Sequence, residues 1–154
     1  MTYVLDATAI RSGMTIAGEG WYTIPEVIDE IRLGRQARNL DMLLEASLRV
    51  MSPNDAALKT IEETASKTHD LESLSRTDIG VLALAYQLEA TIISDDYAVQ
   101  NIASILKIPI KTDLKGIREI IHWTFRCRGC GKYYDKMQPD CPVCGSEIRR
   151  VKKK

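Results

Sequence analysis

The chain has 154 residues, of which 45% are apolar and 27% charged, with 21 Lys+Arg against 21 Asp+Glu. That composition suits one packed domain with a small appendage and excludes both a disordered chain and, for want of any run near the ~20 apolar residues required, a membrane-spanning helix. The zero net charge hides a division: residues 1 to 121 hold 12 basic and 18 acidic side chains, a net of −6, while residues 122 to 154 hold 9 and 3, a net of +6.

An acidic front joined to a basic tail implies two units, the second able to meet a polyanion. Met1-Thr2-Tyr3-Val4-Leu5 lacks the basic n-region of a signal peptide, so a soluble cytoplasmic protein without membrane contact is expected. Along the front, Tyr3-Val4-Leu5 reads as a short strand ending at Asp6. Glu26 to Leu33 and Leu40 to Leu48 carry apolar residues at helical spacing, and Arg49-Val50-Met51 reads as a second strand stopped by Ser52-Pro53. A helix over Asn54 to Ala65, a polar connection over Lys67 to Ser73 and the apolar helix of Ile79, Leu82, Ala83, Tyr86 and Leu88 follow. The strand Thr91-Ile92-Ile93, a helix over 97 to 106 and a strand near Ile108 to Lys111 complete the series. Short strands separated by helices predict an α/β fold, a parallel sheet with helices on both faces, over residues 1–115. Residues 116–122 form the expected linker, with a short helix over Gly116 to Ile121, and residues 123–154 the second unit.

Ligands of such sheets bind beyond the carboxyl ends of the strands. Asp6 and the pair Asp95-Asp96 both follow strands directly, so they share one rim. Glu26 and Glu30 lie four apart on one helix face. Thr23-x-x-Glu26 has the form of a capping box, which would engage Glu26 and leave Glu30 for chemistry. Ser75-x-x-Asp78 has the same form. Each acid alone has a plainer reading: Asp6 a turn residue, Asp78 a carboxylate favoured by a helix dipole, Asp95 a helix cap. Together they would repel unless cations sat among them, and oxygen-only ligation suits Mg²⁺ or Mn²⁺. Phosphate-binding glycine loops are absent, and His69 and His122 fall in connections.

All four cysteines lie in the tail. Cys127-x-x-Cys130-Gly131 and Cys141-x-x-Cys144-Gly145 are separated by ten residues, the spacing of a tetrahedral zinc site; a redox pair needs no second copy, and disulfides do not persist in the cytoplasm. Gly131 and Gly145 are expected to relieve crowding where amides face sulfur. About thirty residues bury too little to fold alone, so the metal would supply folding free energy. Arg126, Arg128, Lys132 and Lys136, interleaved with Tyr133 and Tyr134, are candidates for RNA contact, the rings serving either as packing or as base-stacking surfaces.

The segments Val4-Leu5-Asp6-Ala7-Thr8, Val27-x-x-Glu30-Ile31, Ser75-x-x-Asp78 and Ser94-Asp95-Asp96-x-x-x-Gln100-Asn101 resemble the four acidic motifs of PIN-domain nucleases. With the cysteine tail, nearly the whole chain is similar to the Nin-one-binding family in its short archaeal form. Its members are endoribonucleases that mature the 3′ end of small-subunit ribosomal RNA. The resemblance implies that Asp6, Glu30, Asp78 and Asp96 hold a catalytic Mn²⁺ or Mg²⁺, with Asp95 a further ligand or neighbour, and that Thr8 and Asn101 orient water or an acid. It also implies one structural Zn²⁺ per chain, and precursor ribosomal RNA, the nascent small subunit and an assembly-factor protein as partners. The competing readings are a non-catalytic zinc-ribbon adaptor and a toxin-type PIN ribonuclease.

Overall fold

The computed structural model describes residues 1–34, 37–112 and 120–154. The front of the chain alternates strands with helices. In chain order these are β1 (Tyr3–Leu5), α1 (Ala7–Arg11), β2 (Trp21–Thr23), α2 (Pro25–Arg32), α3 (Ala37–Ala46), β3 (Arg49–Val50), α4 (Asp55–Lys67), α5 (Arg76–Leu88), β4 (Thr91–Ile93), α6 (Tyr97–Ile105) and β5 (Ile110–Lys111). Two elements, α1 and β2, escape the sequence pattern, because five and three residues are too short to show a period. The helix expected over 116–121 lies, except for its last two residues, outside the described residues.

All strand pairs of this sheet are parallel, in the order β3-β2-β1-β4-β5. Successive residues of a strand point to opposite faces. Val4 and Leu5 in the central strand are both fully buried, so both faces are covered, as an all-parallel sheet requires. The chain winds outward from β1 to β3, then returns to β4 on the other side of β1. That reversal leaves a crevice at the carboxyl ends of β1 and β4. On α5, a Cβ at Gly80 would lie 2.6 Å from Ile24 Cδ1. The missing side chain lets the start of α5 approach the residue that precedes α2, bringing the two helices that carry Asp78 and Glu30 together.

The tail forms a three-stranded antiparallel sheet, β7 (Tyr133–Tyr134), β6 (Trp123–Cys127) and β8 (Ile148–Lys152), in that order. Its buried apolar cluster is only Phe125, Cys127, Cys141 and Ile148, with Tyr134 packed against it. So small a core needs outside support. Part of it comes from the front domain. Asp70 follows His69, which takes a left-handed conformation (φ 61°) at the end of α4. Although expected in a polar connection, Asp70 is 1% exposed. Its Oδ1 accepts from the Trp123 indole at 2.7 Å and from the Asn101 amide at 2.8 Å. Asn101 also holds the chain entering the ribbon, donating to Ile121 O at 3.0 Å and accepting from Ile121 N at 2.6 Å. Arg150 stacks on Trp123 at 4.1 Å and donates to His69 O at 2.6 Å and to the Ser73 hydroxyl, while His69 meets Phe125 edge-on at 4.8 Å.

Replacing Asp70 by Ala would leave two buried donors short of an acceptor, each worth about 1–3 kcal/mol. Asp70→Ala is expected to lose about 2–4 kcal/mol in denaturant unfolding, with Trp123 emission shifted to the red, whereas Asp70→Asn, which keeps Oδ1, retains most of the stability. Equal stability of the Ala variant would show that this contact does not hold the ribbon.

Candidate active site

Asp6 is placed by the turn from β1 into α1. It caps α1, its Oδ1 accepting from Ala9 N at 2.8 Å and from the Thr8 hydroxyl at 2.7 Å, while Oδ2 accepts from the Ser94 hydroxyl. The residue is 4% exposed. Burial pushes its carboxyl above the ordinary value of 3.8; the hydrogen bonds from Ser94, Ala9 and Thr8 oppose this, and the charge of Asp96 adds to it.

The end of β4 is tied to the same group. Ser94 Oγ accepts from Asp96 N at 3.1 Å, Thr8 Oγ1 accepts from Asp95 N at 3.1 Å, and Gln100 Nε2 donates to Ser94 O at 3.1 Å. Ser94, 1% exposed, is a positioning residue that the acidic motifs alone do not reveal. Its signal was a polar side chain closing an apolar strand. The cap of α6 is Asp96, not Asp95: Asp96 Oδ1 accepts from Ala98 N at 2.8 Å and Val99 N at 3.2 Å. Asp95 Oδ1 accepts from the Thr112 hydroxyl.

Asp78 forms the expected capping box, accepting from Ser75 N at 2.7 Å while Ser75 Oγ accepts from Asp78 N at 3.1 Å. Its carboxyl is also pushed up, first by burial, against the pull of the Ser75 hydrogen bonds, and then by the charges of Asp96 and Glu30. Asp96 therefore acts on both Asp6 and Asp78, and Glu30 on Asp78. Glu30 pairs with Arg11 at 3.0 Å. The capping box expected at Thr23 does not form. Thr23 is fully buried and donates to Leu5 O at 2.9 Å, Ile24 is the cap residue without a side-chain bond, and Glu26 is exposed. Glu30 is thus singled out by its neighbour Asp78, not by a cap that engages Glu26. Asn101 does orient an acid, but that acid is Asp70 in the domain junction, with no contact to the rim.

Among the described residues only the four cysteines gather as a group that could hold a metal ion; the acids line the crevice without forming such a set. A small hard cation that keeps waters and phosphate oxygens needs few protein ligands. A concavity of about 660 Å³ lies at the opposite end of the sheet, where Ala90 and Pro109 precede β4 and β5, and Glu89 is the one acid that lines it.

The four cysteine sulfurs lie within 4.8 Å of one another, with Cys127–Cys144 at 3.3 Å and Cys130–Cys141 at 3.7 Å. A tetrahedral ion with metal–sulfur bonds of ~2.3 Å has sulfur–sulfur edges of ~3.8 Å, so the set could hold one metal ion. Hydrogen bonds from Ser146 push the Cys144 thiol down to about 6, and the Tyr134 hydroxyl, 3.0 Å from Cys141 Sγ, lowers that thiol too. Cys130 moves the other way, to about 11: the Lys132 amide favours its thiolate, but desolvation and the neighbouring sulfurs outweigh it. The expected crowding is relieved elsewhere than foreseen. Gly131 and Gly145 adopt φ of 75° and 72°, and a Cβ at Gly145 would meet nothing within 4 Å. The tight knuckle position is Gly129, where a Cβ would lie 2.3 Å from Ser146 Oγ and 3.1 Å from Cys144 Sγ.

The family model described as the PIN domain of ribonuclease matches residues 3–88, more than half of the chain. Endoribonuclease Nob1 of Pyrococcus abyssi is 40% identical over 152 residues, covering 96% of this chain and 92% of that one. The chain belongs to the PIN-domain nucleases, in the Nob1 branch. Ribonuclease VapC1 of Thermoplasma acidophilum is 44% identical over 97% of this chain and 78% of its own length, so the cysteine tail by itself does not separate the two names. The 20S-pre-rRNA D-site endonuclease nob1 of Schizosaccharomyces pombe is 35% identical over 101 residues, covering 64% of this chain and 26% of that protein. No helix among the described residues of this PIN nuclease is long and apolar enough to cross a membrane.

The raised carboxyls of Asp6 and Asp78 make stability depend on pH in a defined direction. Below the ordinary value of 3.8 both folded and unfolded chains are protonated and the acids cost nothing; as pH rises through the raised folded values, the folded state loses stability, and the loss persists above them. Asp6→Asn is therefore expected to melt higher than the parent at pH 7 in EDTA, with the difference vanishing towards pH 3. Mn²⁺ should raise the melting temperature of the parent and not of Asp6→Asn. A variant less stable at pH 7 than at pH 3, relative to the parent, would contradict this.

Proposed function

We propose that this PIN nuclease hydrolyses single-stranded precursor ribosomal RNA at the 3′ end of the small-subunit RNA, leaving a 3′-hydroxyl and a 5′-phosphate. Asp6, Glu30, Asp78 and Asp96 would hold Mn²⁺ or Mg²⁺. The observation that carries the reading is the mutual influence of Asp96, Asp6 and Asp78 at the sheet's crevice, in a chain of this family. When bound, such an ion supplies Lewis acidity to the phosphodiester and acidity to water. The chain's own residues supply the framework. Three hydrogen bonds fix Asp6 in one orientation, and the α6 cap fixes Asp96 through Oδ1. Thr8 joins the Asp6 carboxylate to the Asp95 backbone, so the two strand ends cannot separate. Asp95, engaged by Thr112, is the neighbour that steadies this rim.

The ribbon would hold Zn²⁺ through Cys127, Cys130, Cys141 and Cys144, and would guide the RNA. Arg126 lies over Tyr133 at 5.6 Å and Lys132 over Tyr134 at 5.9 Å. Tyr133 is exposed and free to stack on a base, whereas the Tyr134 hydroxyl is spent on Cys141. Lys136 is exposed; Arg128 is paired with Glu147 at 2.8 Å and contributes less. A nascent small subunit and an assembly-factor protein would bring substrate to the site in the cytoplasm. The Thermoplasma relative's name includes no ribosomal substrate, and it favours a second reading: a ribonuclease acting on another RNA.

The test is cleavage of a short RNA spanning the precursor 3′ junction, against an unrelated single strand of equal length. Parent protein with Mn²⁺ is expected to cut the junction RNA, EDTA to abolish cutting, and Asp6→Asn, Asp78→Asn or Asp96→Asn to reduce kcat/KM by about 100-fold or more. Equal cutting of the unrelated strand supports the second reading, and tight binding without cleavage under any metal supports an adaptor. Native mass spectrometry should find one zinc per chain, lost with Cys141→Ser.

A further inference from the structure

Five carboxylates at one rim repel a polyanion, and a divalent cation cannot by itself orient a phosphodiester chain. Among the described residues one cation touches an acid of the site. Arg11 ends α1, the helix that Asp6 caps, about 7.5 Å further along its axis. Its Nη2 lies 3.0 Å from Glu30 Oε1, with both side chains a little over 40% exposed. The contact uses one guanidinium nitrogen and one carboxylate oxygen; among the described residues Nε and Nη1 make no hydrogen bond. A guanidinium presents five donors in a planar fork suited to phosphate. The plain alternative is a surface ion pair, worth about 0–1 kcal/mol and without a further role.

We propose that Arg11 is a phosphate-binding residue of the nuclease rim, held beside the acids by Glu30 and using its remaining donors to grip the RNA backbone next to the scissile bond. This rests on the nuclease reading above. Four features carry it. Arg11 sits on the same five-residue helix whose N-cap is Asp6, so its distance from the acids is fixed by backbone geometry. Glu30 is coupled to Asp78, so the pair belongs to the rim. The front domain carries a net charge of −6, so its field opposes a polyanion and a cation at the rim counts for more. The single-point contact leaves the fork available, where a bidentate pair would have spent it.

The test compares the parent, Arg11→Gln, Arg11→Lys and Lys59→Gln, the last removing an equal charge from an exposed α4 ion pair away from the rim. RNA affinity is measured in EDTA over a salt series, and cleavage is measured with Mn²⁺. For Arg11→Gln the slope of log K against log salt should fall by about 0.7, the value for one phosphate contact on a single strand. Its affinity should drop about 10-fold at low salt and its kcat/KM about 10- to 100-fold, with Arg11→Lys between it and the parent. Lys59→Gln should leave slope and rate unchanged. An Arg11→Gln protein that binds with the parent's slope overturns the proposal, as does one indistinguishable from Lys59→Gln in both measurements. Parent protein that never cleaves overturns the nuclease reading instead, and the salt slope in EDTA still decides for or against Arg11.

Discussion

Like charges gathered at one rim repel one another, and the domain has to hold them in place against that repulsion. The reversal of strand order between β1 and β4 delivers Asp6 and Asp96 to one crevice. The close approach at Gly80 delivers Asp78 and Glu30 from the helices above. Nothing in the hydrophobic core requires acids there. What allows them is a set of short polar links, Thr8 and Ser94 above all, that satisfies both oxygens of Asp6 and ties it to the end of β4. On the proposed reading, a cation would meet acids whose positions are already fixed, the condition under which electrostatic stabilisation is most effective.

Much of this was legible in the sequence because the acids follow strands directly, and an apolar run that stops at a carboxylate announces a rim. The strand Trp21–Thr23 is not legible, three residues having no measurable alternation, whereas Ile110–Lys111 falls within the strand expected near Ile108 to Lys111. The Thr23 box was misread for a physical reason: its hydroxyl reaches Leu5, eighteen residues away, and no local pattern encodes that preference. Asn101 shows the same limit. The acid it orients, Asp70, is thirty-one residues distant and outside the acidic motifs. Ser75 and Asp78, by contrast, pair within one turn and were read correctly.

The ribbon depends on two supports of different character. Four thiols lie close enough together that they could hold one metal ion, and the Trp123–Arg150 stack, with Arg150 bonded to His69 O, ties the sheet to the end of α4. Because the cluster Phe125, Cys127, Cys141 and Ile148 is so small, the two supports substitute for the core it lacks.

The two fixed points flanking residues 113–119 have a bearing on how such chains change over time. On one side Thr112 is fastened to Asp95, and on the other Ile121 is fastened to Asn101 by both its amide and its carbonyl. The separation of these anchors is set by the folded body and not by the chain between them. What a chain of this kind must keep at the junction is therefore the anchors themselves, Asp95 with Thr112 and Asn101 with Ile121.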